Sequence, residues 1–280
     1  MKAFLYHMRP WQWYKNLVVF LALLFSGHLF EAQSVIMTGF AFILLCFLSS
    51  GNYMVNDVFD WKRDKQHTEK KQRMIKLALA FSGVTMVFLV LFVSSVFFPV
   101  YFTGLLLGLF VLSFLYSAFL KNVFLVDILV ISINFVLRAI AGAYVVMTGT
   151  NPYIWVSPWL IICTFFLALF LAVGKRYGEF HTQKKSFRSV LKQYSPEITT
   201  FLLTAATVCL VVAYTLYSFL GEQPRMIFTL PVMLYLVFCY HALILKGNTI
   251  SEKPFLIARN IPFMSGLALW ILMTFFILYF

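Results

Sequence analysis

The densest candidate chemistry in the chain lies in Asn56-Asp57-Val58-Phe59-Asp60-Trp61-Lys62-Arg63-Asp64. The chain has only 10 acidic residues, and three of them fall in this stretch. On a helix, Asn56, Asp60 and Asp64 recur every fourth residue, and Asp57 stands three before Asp60. At roughly 100° per residue all four point into an arc of about 100°. Carboxylates so placed repel one another, which helix stability alone would not select. Hard oxygen donors converging on one side suit a divalent cation, above all Mg²⁺ shared with substrate phosphates. Asn56, Asp57, Asp60 and Asp64 are therefore the candidate metal ligands, with Asn56, Asp60 and Asp64 the candidate catalytic set. The competing reading is a solvated helix end whose carboxylates are neutralised by Lys62, Arg63 and Lys65.

The elements that must hold this stretch are set by composition. The 280 residues are 62% hydrophobic, 19% aromatic and only 11% charged. A soluble domain carries about 25% charged residues, so the chain reads as a multi-spanning membrane protein. No cleavable leader is evident, because the first long apolar run, Leu17–Leu24, leads on into a larger segment. Cys46, Cys163, Cys209 and Cys239 sit far apart in apolar runs and read as small core residues. The net charge of +12 would suit nucleic acid, but the positions of the charges point to topology instead.

Apolar runs close to the ~20 residues that span a bilayer occur at about 16–32, 35–57, 76–97, 99–118, 123–146, 153–174, 198–220, 227–245 and 262–280. The expected fold is all-α, a single integral membrane domain over residues 1–280. Nine transmembrane helices would enclose an intramembrane polar cavity. His28 and Glu31 crowd the end of the first run. With nine helices, 20 of the 22 Lys and Arg residues fall on one face. The exceptions are Arg225 on the opposite face and Arg138 inside a helix. The positive-inside rule then puts the N-terminus and the charged connections in the cytoplasm and the C-terminus outside. The two long charged connections follow the second and sixth helices. The first carries the carboxylates, while the second reads Gly174-Lys175-Arg176-Tyr177-Gly178-Glu179.

Polar residues also run into the membrane. Ser49 and Asn52 extend the carboxylate stripe along the second helix. Asp127, Asn134 and Arg138 lie within about 40° of one another on the fifth, with Arg138 roughly 16 Å along the axis from Asp127. An arginine at such depth costs about 2.5–3.5 kcal/mol on insertion scales and normally faces a cavity or a partner. Two readings compete evenly: a chamber in which Arg138 attracts an anion, and a structural pair between Arg138 and an aspartate. His67, Lys70 and Arg73, beside the presumed metal, suit a polyanionic ligand. Tyr116 and Lys121, at the end of the fourth helix, belong to the same side.

The pattern Asn56-x-x-x-Asp60-x-x-x-Asp64 after the second of nine helices, together with the second connection after the sixth, resembles the UbiA superfamily of intramembrane prenyltransferases. That resemblance implies Mg²⁺ holding a diphosphate leaving group in a membrane-embedded cavity. Most members carry a second aspartate-rich motif after the sixth helix, where this chain has Lys175, Arg176 and Glu179. Within the superfamily the chain is similar to the polyprenyl-phosphate phosphoribosyltransferases. The residues that carry this likeness are Arg9-Pro10-Trp11-Gln12-Trp13-Tyr14-Lys15-Asn16, Tyr116-Ser117 with Leu120-Lys121 and Asp127, Phe135 to Gly142, Ser157-Pro158-Trp159 and Gly174 to Tyr177. Thr68 and Met74 stand where that branch has prolines, and Asn260 follows Arg259 where an aspartate is expected.

The resemblance implies transfer of 5-phosphoribose from phosphoribosyl diphosphate to a polyprenyl phosphate. The acceptor is already an anion, so no strong general base is required. Lys15, Lys70, Arg73, Lys121, Arg138, Lys175 and Arg176 are then candidates to hold the phosphates. The expectation is that His67, Lys70 and Arg73 serve the sugar phosphate and that Lys175 and Arg176 meet one of the phosphates. Asp57, Tyr116, Asp127, Asn134 and Glu179 complete the substrate-binding candidates. The expected partners are the two substrates and the lipid bilayer, with no nucleic acid; formation of a homo-oligomer is left open. An isoprenoid transferase acting on an aromatic acceptor is the alternative, and a phosphometabolite transporter the third reading.

Overall fold

The computed structural model describes residues 6–59, 77–147, 156–181, 190, 193–247 and 254–280. Asp60, Asp64, His67, Lys70 and Arg73 lie outside these. Nine α-helices are present among the described residues: α1 (Phe20–Phe25), α2 (Ala32–Phe59), α3 (Leu77–Phe97), α4 (Val100–Ala118), α5 (Val126–Met147), α6 (Pro158–His181), α7 (Pro196–Leu220), α8 (Leu230–Leu245) and α9 (Ile261–Tyr279). Seven segments are long and apolar enough to cross a bilayer: Ala32–Asp57, Val100–Ala118, Val126–Val146, Pro158–His181, Pro196–Leu220, Pro224–Leu245 and Ile261–Tyr279. Helix α3 has 21 residues, a rise of about 32 Å. Its exposed side chains include Phe88 and Phe92, the pattern of a helix whose solvent is hydrocarbon.

The first expected span departs from the sequence reading. Residues Pro10–Val19 form a 3₁₀ helix that runs into the six-residue α1. Runs of 3₁₀ beyond three or four residues are uncommon, and the reason for this one is visible in its period of three. Trp13, Asn16 and Val19 form one row, turned toward the protein. Trp13 Nε1 donates to Ser50 Oγ at 3.1 Å, Asn16 Nδ2 reaches Cys46 Sγ at 3.4 Å, and Val19 is fully buried. Trp11, Tyr14 and Leu17 form the opposite row and are 42%, 39% and 53% exposed. Indole and phenol rings on an outward row suit a membrane interface. A period of 3.6 would have carried these rows around the axis.

Packing divides the chain into two compact units, Met1–Lys121 with Asn134–Val156, and Asn122–Ile133 with Ser157–Phe280. Helix α5 therefore gives its first turns to the second unit and the rest to the first. The first unit is cored by Val19, Ala41, Leu45, Phe102, Leu106 and Ala141. Helices α2 and α3 meet at Gly51 and Gly83. A β-carbon on Gly51 would stand 2.9 Å from the Gly83 carbonyl, and one on Gly83 would stand 2.7 Å from the Met54 side chain. This crossing lies one to two turns before Asn56, so it fixes where Asn56 and Asp57 stand on α2.

In the second unit α6 and α7 pack side by side. Helix α7 starts where Ser195 accepts from the Ile198 N–H at 3.2 Å, with Pro196 in the first turn, the usual N-terminal chemistry. Asn260 caps α9 the same way, accepting from the Phe263 N–H at 3.0 Å. Two buried hydroxyls of the unit share one network: Tyr214 lies 2.6 Å from Thr229, and Trp270 Nε1 donates to Tyr214 at 2.8 Å. Unmatched polar groups inside a bilayer would cost several kcal/mol each.

Candidate functional site

Polar chemistry gathers in two sets in the first unit and one in the second. In the first, the end of α2 meets the segment before the 3₁₀ helix. Asp57 is buried, and Arg9 donates through Nη2 to its Oδ1. His7 Nδ1 lies 3.4 Å from Oδ2, and the Arg9 guanidinium also sits over the Tyr53 ring, 4.9 Å from its centre. Arg9 holds a left-handed conformation, φ 50° and ψ 56°, which costs a non-glycine residue about 1–2 kcal/mol. It does so directly before Pro10, which disfavours the ordinary helical alternative. The pair with Asp57 offsets that cost and ties the N-terminal segment to α2.

This geometry separates Asp57 from Asn56. Asp57 sits at the edge of the polar arc and is turned to Arg9, so its charge is already compensated. Asn56 is half-buried at the same end of α2. Among the described residues no group of three or more His, Cys, Asp or Glu side chains is placed to hold a metal; Asp60 and Asp64 fall outside them. In donor chemistry Asn56, Asp60 and Asp64 fit Mg²⁺, which takes hard oxygens, whereas Asp57 is engaged elsewhere.

Further along the same unit a second set forms around Asn16. Its Oδ1 accepts from Arg138 Nε at 3.0 Å and from Ser49 Oγ at 3.2 Å. Arg138 Nη1 donates to the Asn134 carbonyl at 2.8 Å. Asn134 in turn accepts from Ser113 Oγ at 3.3 Å. Lys15 donates to Gln12 Oε1 at 3.0 Å. Loss of hydration, with Arg138 and Arg9 as positive neighbours, lowers the Lys15 pKa from its ordinary 10.5 to about 8. No carboxylate pairs with Arg138 or Lys15 among the described residues. The expected alternative of an Arg138–aspartate pair is therefore not what these residues form.

The close approach that makes this set possible depends on Gly142. A β-carbon there would stand 2.1 Å from the Val19 carbonyl oxygen. Gly142 is one turn beyond Arg138 on α5, and Val19 is one 3₁₀ turn beyond Asn16. The glycine contact thus sets the distance at which Asn16 meets Arg138.

The second unit holds the aspartate of the α5 seam. Asp127 and Arg176 are both buried, with Arg176 Nε donating to Asp127 Oδ2 at 2.7 Å. Tyr194 donates to Asp127 Oδ1 at 2.9 Å. Arg176 Nη1 also pairs with Glu179, and Lys175 Nζ lies 3.8 Å from the other Glu179 oxygen. Burial first, then the Asp127 carboxylate, pushes the Tyr194 phenol upward. The adjacent cations Lys175 and Arg176 thus part ways. Arg176 is enclosed between two carboxylates, whereas the Lys175 side chain is 41% exposed. The seam divides too, since Asp127 serves Arg176 while Asn134 and Arg138 belong to the Asn16 set. Tyr116 is half-buried and Lys121 buried at the end of the first unit.

His7, Asn16, Ser50 and Tyr194 were not singled out from sequence. Trp13 and Asn16 were legible as a row only if a 3₁₀ period was assumed. Tyr194 is 67 residues from Asp127, and the one nearby signal that could have been used is the helix start at Ser195-Pro196.

The comparisons with known proteins converge on one family. The UbiA prenyltransferase family model matches residues 16–267. The decaprenyl-phosphate phosphoribosyltransferase of Corynebacterium glutamicum is 30% identical over 225 residues, which are 76% of this chain and 66% of that protein. The alignment therefore spans just under two thirds of the corynebacterial protein's length. The protein of the same name from Mycolicibacterium smegmatis is 28% identical over 235 residues, 80% of this chain and 72% of that one. In fold, a UbiA homolog from Archaeoglobus fulgidus bound to DMAPP and Mg²⁺ matches with a TM-score of 0.70 at 19% identity, over 98% of both chains. At that identity the likeness speaks for the fold alone.

Proposed function

The chain belongs to the UbiA prenyltransferase family, and from that premise we propose that it transfers 5-phosphoribose from phosphoribosyl diphosphate to a polyprenyl phosphate. A lipid phosphate oxygen forms the new bond to ribose C1 as the C1–O bond to the diphosphate breaks. Pyrophosphate departs with the bonding electron pair. Asn56, Asp60 and Asp64 would hold Mg²⁺, which when bound supplies stabilisation of charge on the leaving group. Asp57 is a positioning residue that keeps the N-terminal segment against α2 through Arg9.

The remaining residues need only bind and orient anions. His67, Lys70 and Arg73 are assigned to the donor's phosphates, and Lys175 is the exposed cation on the last turns of α6. Arg176, Asp127, Tyr194 and Glu179 act as a brace that sets the end of α6. The acceptor oxygen carries its negative charge before the reaction, so no side chain must remove a proton from it. The charged connections are assigned to the cytoplasmic face, following the distribution of Lys and Arg.

The observation that carries this reading is the C-terminal end of α6, which includes Lys175, Arg176 and Glu179. An enzyme that clamps a prenyl diphosphate with two aspartate-rich motifs needs carboxylates there. Here the segment offers Lys175 and Arg176, and the nearby acids, Asp127 and Glu179, are engaged with Arg176. The relatives named for decaprenyl-phosphate phosphoribosyl transfer support the same choice of donor. Purified protein given phosphoribosyl diphosphate, Mg²⁺ and a polyprenyl phosphate should yield a phosphoribosyl lipid and pyrophosphate in equal amounts. No such product, with turnover of a prenyl diphosphate and an aromatic acid, would replace this reading with isoprenoid transfer.

A further inference from the structure

We infer that Lys15 and the Asn16-bound Arg138 form a metal-free subsite for a phosphate monoester, and that its ligand is the headgroup of the acceptor lipid rather than the 5-phosphate of the sugar donor. The identity of that ligand rests on the proposed function; the subsite itself does not.

The argument starts from an electrostatic imbalance. Arg138 bonds the side chain of Asn16, and Lys15 is the residue next to Asn16 on the same 3₁₀ segment, in a part of the protein where the bonded partners of both cations are neutral. Asn16 and the Asn134 carbonyl receive Arg138, Gln12 receives Lys15, and Ser49 completes the ring around Asn16. Like charges in a low-dielectric setting repel strongly, and an intramembrane arginine normally faces a partner or a cavity. The fold holds the pair together regardless, through the contact of Gly142 with the Val19 carbonyl. A bound dianion would convert that repulsion into attraction. Guanidinium and ammonium groups are the side chains that bind phosphate oxygens best.

The choice of phosphate follows from the surroundings. The Mg²⁺-bound diphosphate is assigned to Asn56, Asp60 and Asp64, whereas Lys15 and Arg138 bond neutral partners. That leaves the two monoesters, the ribose 5-phosphate and the lipid phosphate. Depth separates them. Arg138 lies 11 residues along α5 from Asp127, about 16 Å at helical rise, and follows Asn134 on an apolar spanning helix. Lys15 stands on a 3₁₀ segment whose outer row is Trp11, Tyr14 and Leu17, all exposed. A phosphate at Lys15 therefore has an apolar, aromatic-lined surface beside it along which an isoprenoid chain can leave. A free sugar phosphate has no use for that surface.

The test uses the full-length protein in detergent or nanodiscs, with Lys15→Met, Arg138→Met and the charge-keeping Arg138→Lys. Binding of a short-chain polyprenyl phosphate is measured directly, with the matching polyprenol and with ribose 5-phosphate as the other arms. Michaelis constants for each substrate are measured in parallel. Each Met variant should weaken polyprenyl phosphate binding at least tenfold, with the polyprenol and the KM for phosphoribosyl diphosphate unchanged. Arg138→Lys should recover part of the loss. Lys15→Met keeps the test decisive should Arg138→Met not fold, because Lys15 bonds only Gln12 among the described residues. A rise in the KM for phosphoribosyl diphosphate, or loss of ribose 5-phosphate binding with lipid binding intact, would overturn the assignment. Equal losses for polyprenol and polyprenyl phosphate would overturn the anion subsite itself. Charge-dependent lipid-phosphate binding in a wild-type protein that makes no phosphoribosyl lipid would leave the subsite standing and remove the proposed reaction instead.

Discussion

Removing a member of the buried Asp127–Arg176 pair should unbalance the second unit more than removing the more exposed charges beside it. Asp127 and Arg176 have side chains 0% and 2% exposed, joined at 2.7 Å. Deleting one partner of such a buried pair leaves an uncompensated charge and costs about 3–5 kcal/mol. Glu179 and Lys175 are 21% and 41% exposed, so solvent screens them. Glu179→Ala should cost less than about 1 kcal/mol, because Arg176 keeps Asp127. Arg176→Met should destabilise most, because buried Asp127 is left with the neutral Tyr194 hydroxyl, Asp127→Ala less, because Arg176 keeps Glu179, and Glu179→Ala least. The double variant Asp127→Leu/Arg176→Met should recover much of the loss, as an apolar replacement of a buried pair often does. Equilibrium unfolding in mixed micelles, followed by tryptophan fluorescence, measures all four. If Asp127→Ala and Arg176→Met left stability unchanged but raised the KM of a substrate, Arg176 would be a phosphate ligand and the brace would be refuted.

Further outcomes follow from the first unit. Asp60→Asn and Asp64→Asn should each remove Mg²⁺-dependent turnover with the unfolding midpoint unchanged, whereas Asp57→Asn should lower stability and displace the N-terminal segment, detectable as faster proteolysis near Arg9. Gly142→Ala should impair activity despite adding only a methyl group, because that carbon meets the Val19 carbonyl; a shift in the lipid KM larger than the loss in kcat is expected. For Lys15 the sign is set by its lowered pKa, about 8 against the ordinary 10.5. The charged groups bearing on it are Arg138 and Arg9. The cation that attracts the lipid phosphate is present below about pH 8, so kcat/KM for the lipid should fall as pH rises through that value. Fold stability should move the other way, rising from about pH 8 toward 10.5 as the folded protein sheds the proton first. Lys15→Arg should abolish the fall in kcat/KM over that range.

Much of the architecture was legible because a bilayer imposes simple rules. Apolar runs of about 20 residues marked the later helices, and the one-sided Lys and Arg pattern agreed with nine of them. The first run misled because length and hydropathy do not distinguish α from 3₁₀ winding; the choice is made by Trp13 and Asn16 meeting Ser50 and Cys46. Helical angles correctly grouped Asn134 with Arg138. They also grouped Asp127, which instead belongs to Arg176 on another helix, since angle along one helix says nothing about which neighbour a side chain meets. Arg9 with Asp57 was invisible for a related reason: the pair is 48 residues apart and rests on a left-handed backbone that no local pattern announces.

The central claim concerns the donor, and a competition tests it most directly. Purified wild-type protein is offered phosphoribosyl diphosphate together with prenyl diphosphates, in the presence of Mg²⁺, a polyprenyl phosphate and an aromatic acid, and the lipid products are identified by mass spectrometry. The account predicts a polyprenyl phosphate heavier by one phosphoribosyl group, with release of pyrophosphate from the sugar donor alone. A prenylated aromatic product, with phosphoribosyl diphosphate left intact, would contradict it.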